Sequence, residues 1–505
     1  MTSIVASMTD IVSPFPDLDD QFVRALPELT LAWEPQTVPA PAMLALNQKL
    51  AEELGLDPDA LQSPEGVAFL SGAATPAGAN PVAMGYAGHQ FGNYSPRLGD
   101  GRAALLGELT DTAGNRVDLQ LKGSGRTLFS RGGDGKASVG PMLREFLFAE
   151  AMHALGIPTT RALAVVTTGE PVMRQSPEPG AVLTRTAASH LRVGSFEYAV
   201  RMEDKSVLVR LADLAIDRHY PALADSEEPY LGLLEAVRDA QAELVSSWML
   251  IGFIHGVLNT DNVLISGETI DYGPCAFMDR FDQATVFSSI DHAGRYAFGN
   301  QPSITLWNLT RLAETLIPLI DEDADAAVEK VNNVLDGYGA KFMASWHSGM
   351  RSKLGLASAT EGDEALFDQL LGLLQTNRVD FTSAFRALAA WLRDSPEPLD
   401  LLFADADVAE RDTWLDAWTA ALDAAGSSAD RATVADGMDL VNPIYIARNH
   451  LVDEALRAAE SGDTEPFHEL LDVLLQPFTK RAGLERFAQP APDDFNRSFQ
   501  TFCGT

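Results

Sequence analysis

Residues 117 to 156 set the first limit on the fold. Val117-Asp-Leu-Gln-Leu-Lys122 alternates apolar and polar side chains, the period of a strand with one buried face. Gly123, Gly125, Gly132, Gly133 and Gly135 then break any regular element. Pro141 suits the first position of a helix, in which Met142, Phe146, Ala149 and Met152 recur at spacings of three or four until Gly156 and Pro158 end it. Over residues 80–144, eight basic side chains stand against five acidic ones. The whole chain has the opposite balance, 37 basic against 71 acidic, a net charge of −34. A glycine-rich, locally cationic stretch inside an acidic chain marks an anion site.

The same charge excludes partners. Nonspecific nucleic-acid binding needs a surplus of Lys and Arg, and so does an electrostatic hold on anionic lipid. Neither nucleic acid nor membrane is expected as a partner. With 505 residues and 46% apolar content, large cores are expected, in about three domains at roughly 150 residues each or in one large fold with additions. Two cysteines, Cys275 and Cys503, are too few for a disulfide scaffold or a Cys-based zinc site. No window approaches the roughly 20 apolar residues of a membrane span. No Lys or Arg precedes Arg24, unlike a signal or transit peptide. The expectation is a soluble, cytoplasmic chain.

Further elements follow from pattern. Residues 1–80 are Pro- and Ala-rich and read as a wrapping extension, with one helical pattern near Ala42 to Leu54. Ala162 to Val166 reads as a strand and Tyr230 to Ile254 as one long helix, while Val263–Ile265 and Thr269–Asp271 read as two short strands. From 321 to 505 there are 33 acidic and 15 basic residues, with helical patterns at Ala365–Leu374 and Phe381–Leu392.

The order of the polar residues carries the chemistry. A glycine turn, Leu98-Gly-Asp-Gly-Arg102, precedes the strand residue Lys122 and the helix residue Glu145. A long helix then runs into His255-Gly-Val-Leu-Asn-Thr-Asp-Asn262, and nine residues after Asn262 comes Asp271-Tyr-Gly273. This is the order of parts in ATP-dependent group transfer on a kinase-like fold. A strand Lys offers phosphates a fixed charge, and a Glu with apolar helix neighbours wants a partner such as that Lys. Asn262 and Asp271 offer hard oxygens to magnesium or manganese. His255 reads as a packed structural histidine. One part departs from a kinase: in the usual His-Arg-Asp loop the catalytic Asp falls on Val257, which accepts no proton. Either the chain is a nucleotide-binding pseudo-enzyme, or it does different chemistry with another base, the nearest being Asp261.

Met84-Gly-Tyr-Ala-Gly-His-Gln-Phe-Gly92, Leu119-Gln-Leu-Lys-Gly-Ser-Gly-Arg126, Ser130-Arg-Gly-Gly-Asp-Gly-Lys136 and Asp271-Tyr-Gly-Pro-Cys-Ala-Phe-Met-Asp279 resemble the selenoprotein O family, as do residues 98–103 and 255–262. The resemblance spans the chain and is to a bacterial-type member, with Cys503 where some relatives carry selenocysteine. It implies an α+β, protein-kinase-like bilobal fold: an N-terminal extension (1–80), an N-lobe (81–200), a C-lobe core (201–330) and an enlarged helical C-terminal region with a Cys-containing tail (331–505). It implies AMP transfer from a flipped ATP, with magnesium or manganese, to Ser, Thr or Tyr hydroxyls of protein substrates. Gly99, Gly101, Arg102, Lys122, Asp134, Gly135, Arg185, Arg192 and Asp271 would bind nucleotide. Lys122 would pair with Glu145, Asn262 and Asp271 would hold the metal, and Asp261 would accept the proton. Cys275 and Cys503 would form a redox pair, with redox proteins as further partners. The alternatives are a UTP- and manganese-dependent transferase, a conventional kinase, and an inactive nucleotide-binding scaffold.

Overall fold

The computed structural model describes residues 15–404, 408–425 and 430–502. Its main feature is an eight-stranded sheet whose strands pair antiparallel throughout. The order across it is Thr30–Ala32, Val82–Met84, Ala103–Thr110, Arg116–Lys122, Pro177–Ala187, Arg161–Met173 and Ala42–Leu46, with the short Ala137–Ser138 added to Pro177–Ala187.

The N-terminal stretch therefore does more than wrap, because it supplies both outer strands. Ala42–Leu46 is a strand and not part of a helix, a correction to the pattern reading. Pairing with Arg161–Met173 overrides the helical tendency of an Ala- and Leu-rich run. A short helix follows at Gln48–Glu53, opened by the Asn47 side chain, which accepts from the Leu50 N–H at 3.0 Å.

Alternation along Arg116–Lys122 decides what the sheet does. Leu119 and Leu121 join Trp33, Leu50 and Phe69 in a core on one face. Gln120 and Lys122 consequently face the other way, where the helix Val139–Ala154 brings Met142, Phe146 and Met152 into the larger core.

The long helix is Pro229–Leu250 and stops short of Ile254. Gly252, at φ +73°, turns the chain, and Phe253–Ile254 pairs with Ala276–Phe277 instead. The two strands expected around Ser266 are likewise single bridges: Leu264 pairs with Arg192 and Thr269 with Thr159. Most of the backbone bonds there run to residues 158–160 and 191–193, which ties the loop after the helix to the sheet-bearing half of the chain. Helices Gln301–Ile320 and Ala324–Lys353 pack on Pro229–Leu250, and Asp363–Thr376 and Phe381–Leu392 begin the helical remainder. Among the described residues no helix is long and apolar enough to cross a membrane.

Candidate active site

The sheet face bearing Lys122 and the loops 257–274 enclose a cleft of about 600 Å³. All the nucleotide, metal and proton-acceptor positions expected from sequence line it, from Gly99 to Asp271.

Asp271 is its electrostatic centre. Its backbone sits at φ +64°, a conformation that costs a non-glycine residue of order 1–3 kcal/mol and persists only when surroundings enforce it. Three cations enforce it: Lys122 Nζ lies 2.5 Å and Arg185 Nη1 2.7 Å from Oδ1, and Arg192 Nη1 lies 3.4 Å from Oδ2. Burial alone would raise this carboxyl. The three cations outweigh it and hold the group well below the usual carboxylate range. Lys122 also pairs with Glu145, and Arg185 approaches Glu145 at 3.7 Å. Strand register sets this up, since Lys122 stands opposite Leu183 and Gln120 opposite Arg185, whose Nε donates to Gln120 Oε1 at 2.8 Å. Arg185 and Arg192 are thus buried, not surface ion-pairing residues.

Asp261 differs. Its Oδ2 accepts from Gln90 Nε2 at 3.1 Å, and its Oδ1 is buried without a partner. Burial pushes the carboxyl up to about 6, against the pull of Arg192 and Gln90. Asn262 commits its amide nitrogen to the Val257 carbonyl at 2.8 Å, leaving its amide oxygen for a ligand. No group of three or more His, Cys, Asp or Glu side chains poised for a metal exists among the described residues. Asn262 and Asp271 nevertheless form an all-oxygen pair, and magnesium or manganese fits it because such ions complete their coordination with water and phosphate oxygens.

Two glycines are irreplaceable for space. At Gly99 (φ +70°) a Cβ would fall 2.3 Å from the Phe129 ring. At Gly135 (φ +69°) it would fall 2.1 Å from the Gly125 carbonyl oxygen, and Gly125 N–H donates back to Gly135 at 3.0 Å. The loop 123–136 thus closes on itself as a second cradle. Asp134 in it accepts from Arg174 Nη1 at 2.9 Å.

His255 is a packed histidine, with Nε2 2.9 Å from the Ile270 carbonyl and its ring beside Trp248. Cys275 is buried outside the cleft lining. Its thiol donates to the Tyr272 carbonyl at 3.2 Å, and burial pushes it up to about 12. Cys503 lies outside the described residues.

With this geometry in hand, relatives become informative. A family model described as protein adenylyltransferase SelO matches residues 19–475. The chain belongs to that family. It is 57% identical to protein nucleotidyltransferase YdiU of Mycobacterium sp. strain KMS, over 97% of this chain and 99% of the relative. It is 58% identical to the protein of that name from Cereibacter sphaeroides strain ATCC 17025 (96% and 99%) and 56% identical to that from Mycolicibacterium smegmatis (97% and 98%). This SelO-family chain is accordingly an enzyme of the nucleotidyltransferase class. Its cleft also holds residues that the sequence reading passed over: Gln90 on Asp261, Tyr86 beneath the Arg192 guanidinium at 4.6 Å, Asn259 and Arg174. Gln90 and Tyr86 lie in Met84–Gly92, a stretch noted for its resemblance but given no chemical task.

Proposed function

We propose that this chain is a protein adenylyltransferase on a kinase-like bilobal fold, with residues 81–200 as nucleotide lobe and 201–330 as catalytic core between the extension and the helical region. It moves AMP from ATP to a Ser, Thr or Tyr hydroxyl of a protein and releases pyrophosphate. The observation that carries this reading is the pairing of Val257, inert where a kinase keeps its base, with Asp261, a buried carboxyl whose Oδ1 has no partner.

In this mechanism the acceptor oxygen attacks the α-phosphorus while Asp261 takes the hydroxyl proton. A carboxyl titrating near 6 is ionised at neutral pH yet basic enough to assist. Lys122, Arg185 and Arg192, together with the 123–136 cradle, carry the charge that gathers on the departing pyrophosphate. Asn262 and Asp271 would hold the divalent ion, which supplies charge neutralisation on the phosphates when bound. A redox layer is proposed with Cys275 and Cys503. Thr501, two residues before Cys503, donates its hydroxyl to the Pro274 carbonyl at 2.6 Å, beside Cys275. A disulfide formed by exchange with a redox protein would tie the tail to that segment. Alkylation of the thiols with and without reductant, read beside activity, tests it.

The central test incubates the protein with magnesium and a generic protein acceptor, using ATP labelled at the α- or the γ-phosphate. Protein-bound α-label, absent with Asp271→Ala, supports adenylyl transfer. The γ-label alone would make it a kinase, and label from UTP with manganese a uridylyl transferase. No label despite ATP binding would favour a scaffold.

A further inference from the structure

The hairpin Gly88–Gln90/Asn93–Ser95 has two faces, because successive strand residues point to opposite sides. Gln90 reaches Asp261 in the cleft. Its neighbour His89 packs edge-on against Trp307, with ring centroids 5.2 Å apart, and beside Tyr94 at 5.0 Å. Three guanidiniums cover these rings. Arg201 lies 4.3 Å from the Tyr94 centroid, and Arg295 and Arg311 lie 4.8 and 5.1 Å from that of Trp307.

Among the described residues only Arg311 of the three is ion-paired, with Glu314 at 2.8 Å. Surface arginines of the helical region, such as Arg393, Arg411 and Arg481, each hold an aspartate. The one carboxylate behind the patch, Glu197, is buried and already committed. It bonds His89 Nδ1 and accepts from Thr260 Oγ1 at 2.6 Å. In a chain of net charge −34 carboxylates are plentiful, yet Arg201 and Arg295 lie over the Tyr94 and Trp307 rings with no carboxylate of their own among the described residues. Contact with the rings restrains these side chains, which lowers the cost of engaging a carboxylate.

The patch is also registered to the site. His89 N–H donates to Thr260 Oγ1 at 2.7 Å and Phe91 N–H to Asn259 Oδ1 at 3.0 Å, residues adjacent to Asp261 or two before it.

Resting on the reading that the acceptor is a protein hydroxyl, we propose that this aromatic and arginine face docks an acidic segment of the acceptor polypeptide and presents the neighbouring hydroxyl to Asp261. A polynucleotide fits less well. Its continuous phosphate charge would be repelled by the acidic remainder of the surface, whereas a short acidic segment need meet only Arg201 and Arg295, with Arg311 shared with Glu314.

The experiment measures binding of the full chain to a fluorescein-labelled serine peptide flanked by glutamates, to its glutamine twin, and to a labelled single-stranded oligonucleotide. The glutamate peptide should bind about tenfold tighter than its twin, weaken as salt is raised, and lose that advantage in Arg201→Glu. Arg295→Gln, a milder change, should lose part of it, with ATP binding unchanged in both variants. Equal binding of the two peptides, or an advantage untouched by both variants, would overturn the proposal, and so would tighter binding of the oligonucleotide. Transfer of α-label separates the two readings. If the glutamate peptide binds but takes no label, the transfer reading fails and the surface stands. If both peptides are labelled alike and charge reversal changes neither, the surface fails and transfer stands.

Discussion

Two buried ion networks in this chain are near mirror images. In the cleft, one carboxylate, Asp271, is surrounded by three cations. In the helical region one cation, Arg448, is held by two carboxylates, with Nη1 2.5 Å from Asp279 and 2.6 Å from Asp380. The second network is shut away from solvent: Arg448 also donates to the Ala488 carbonyl, and Asp279 Oδ2 accepts from Ala491 N–H and Asn496 Nδ2. Its side chains are at most 4% exposed. The first network faces the cleft, with the Asp271 side chain 23% exposed, and it shares its cations with Glu145 and, at 4.0 Å, with Asp100. Asp279 lies eight residues after Asp271, so one segment is pinned at its far end and poised at its near end. A network shut away from solvent holds the fold together, whereas cations aimed at one partly exposed carboxylate at the edge of a cavity are placed to meet a ligand.

The sharpest way to break this contrast is to remove one carboxylate from each. Asp271→Asn keeps the shape and removes the charge. Transfer should fall by at least about 10³-fold, equivalent to about 4 kcal/mol of barrier, and the melting temperature should fall as well, since the cations that hold Asp271 ionised make its charge stabilising at neutral pH. Asp380→Ala should cost about 3 kcal/mol of stability by denaturant titration while leaving the activity of the folded fraction intact. If Asp271→Asn unfolds the chain, or Asp380→Ala spares stability, the division of labour is wrong.

A third change compares Asp261 with Asp271, which are pushed in opposite directions. The Asp261 carboxyl sits at about 6 when folded against an ordinary 3.8, so folding favours its protonated form. That contribution to stability is lost as pH rises from about 4 to 6, and the cost is fully present at pH 7. Asp261→Asn should therefore stabilise the protein at pH 7, by about 1–3 kcal/mol, while cutting transfer by about 10²–10⁴-fold. The gain should vanish near pH 4, which thermal melts across pH would reveal.

Most of the cleft was legible in the sequence because its residues recur in a fixed order on strongly patterned elements. Lys122 ends an alternating strand and Glu145 lies on a periodic helix, so facing elements had to bring them close. Short elements were less legible. Ala42–Leu46 has no strand signal of its own and forms only because Arg161–Met173 offers an edge. Val263–Asp271 is held by single bridges to residues about 70 to 110 positions earlier, which no local period records. Gln90 was invisible as a partner of Asp261 for the same reason, 171 residues separating them.

The smallest effect concerns the role of Asp261 itself. A base must be unprotonated to take the acceptor proton, so kcat/KM for transfer should fall about tenfold per pH unit below about 6, roughly 1.4 kcal/mol each, and level off above it. Asp271 gives no such limb, because its cations keep it ionised through this range. Gln90→Leu removes one donor to the Asp261 carboxylate and should shift the limb upward while leaving ATP binding unchanged. A merely structural Gln90 would lower the rate at every pH alike. A limb that stays in place in Gln90→Leu, or persists in the residual activity of Asp261→Asn, would assign the titration to another group and return the two carboxylates to equal standing.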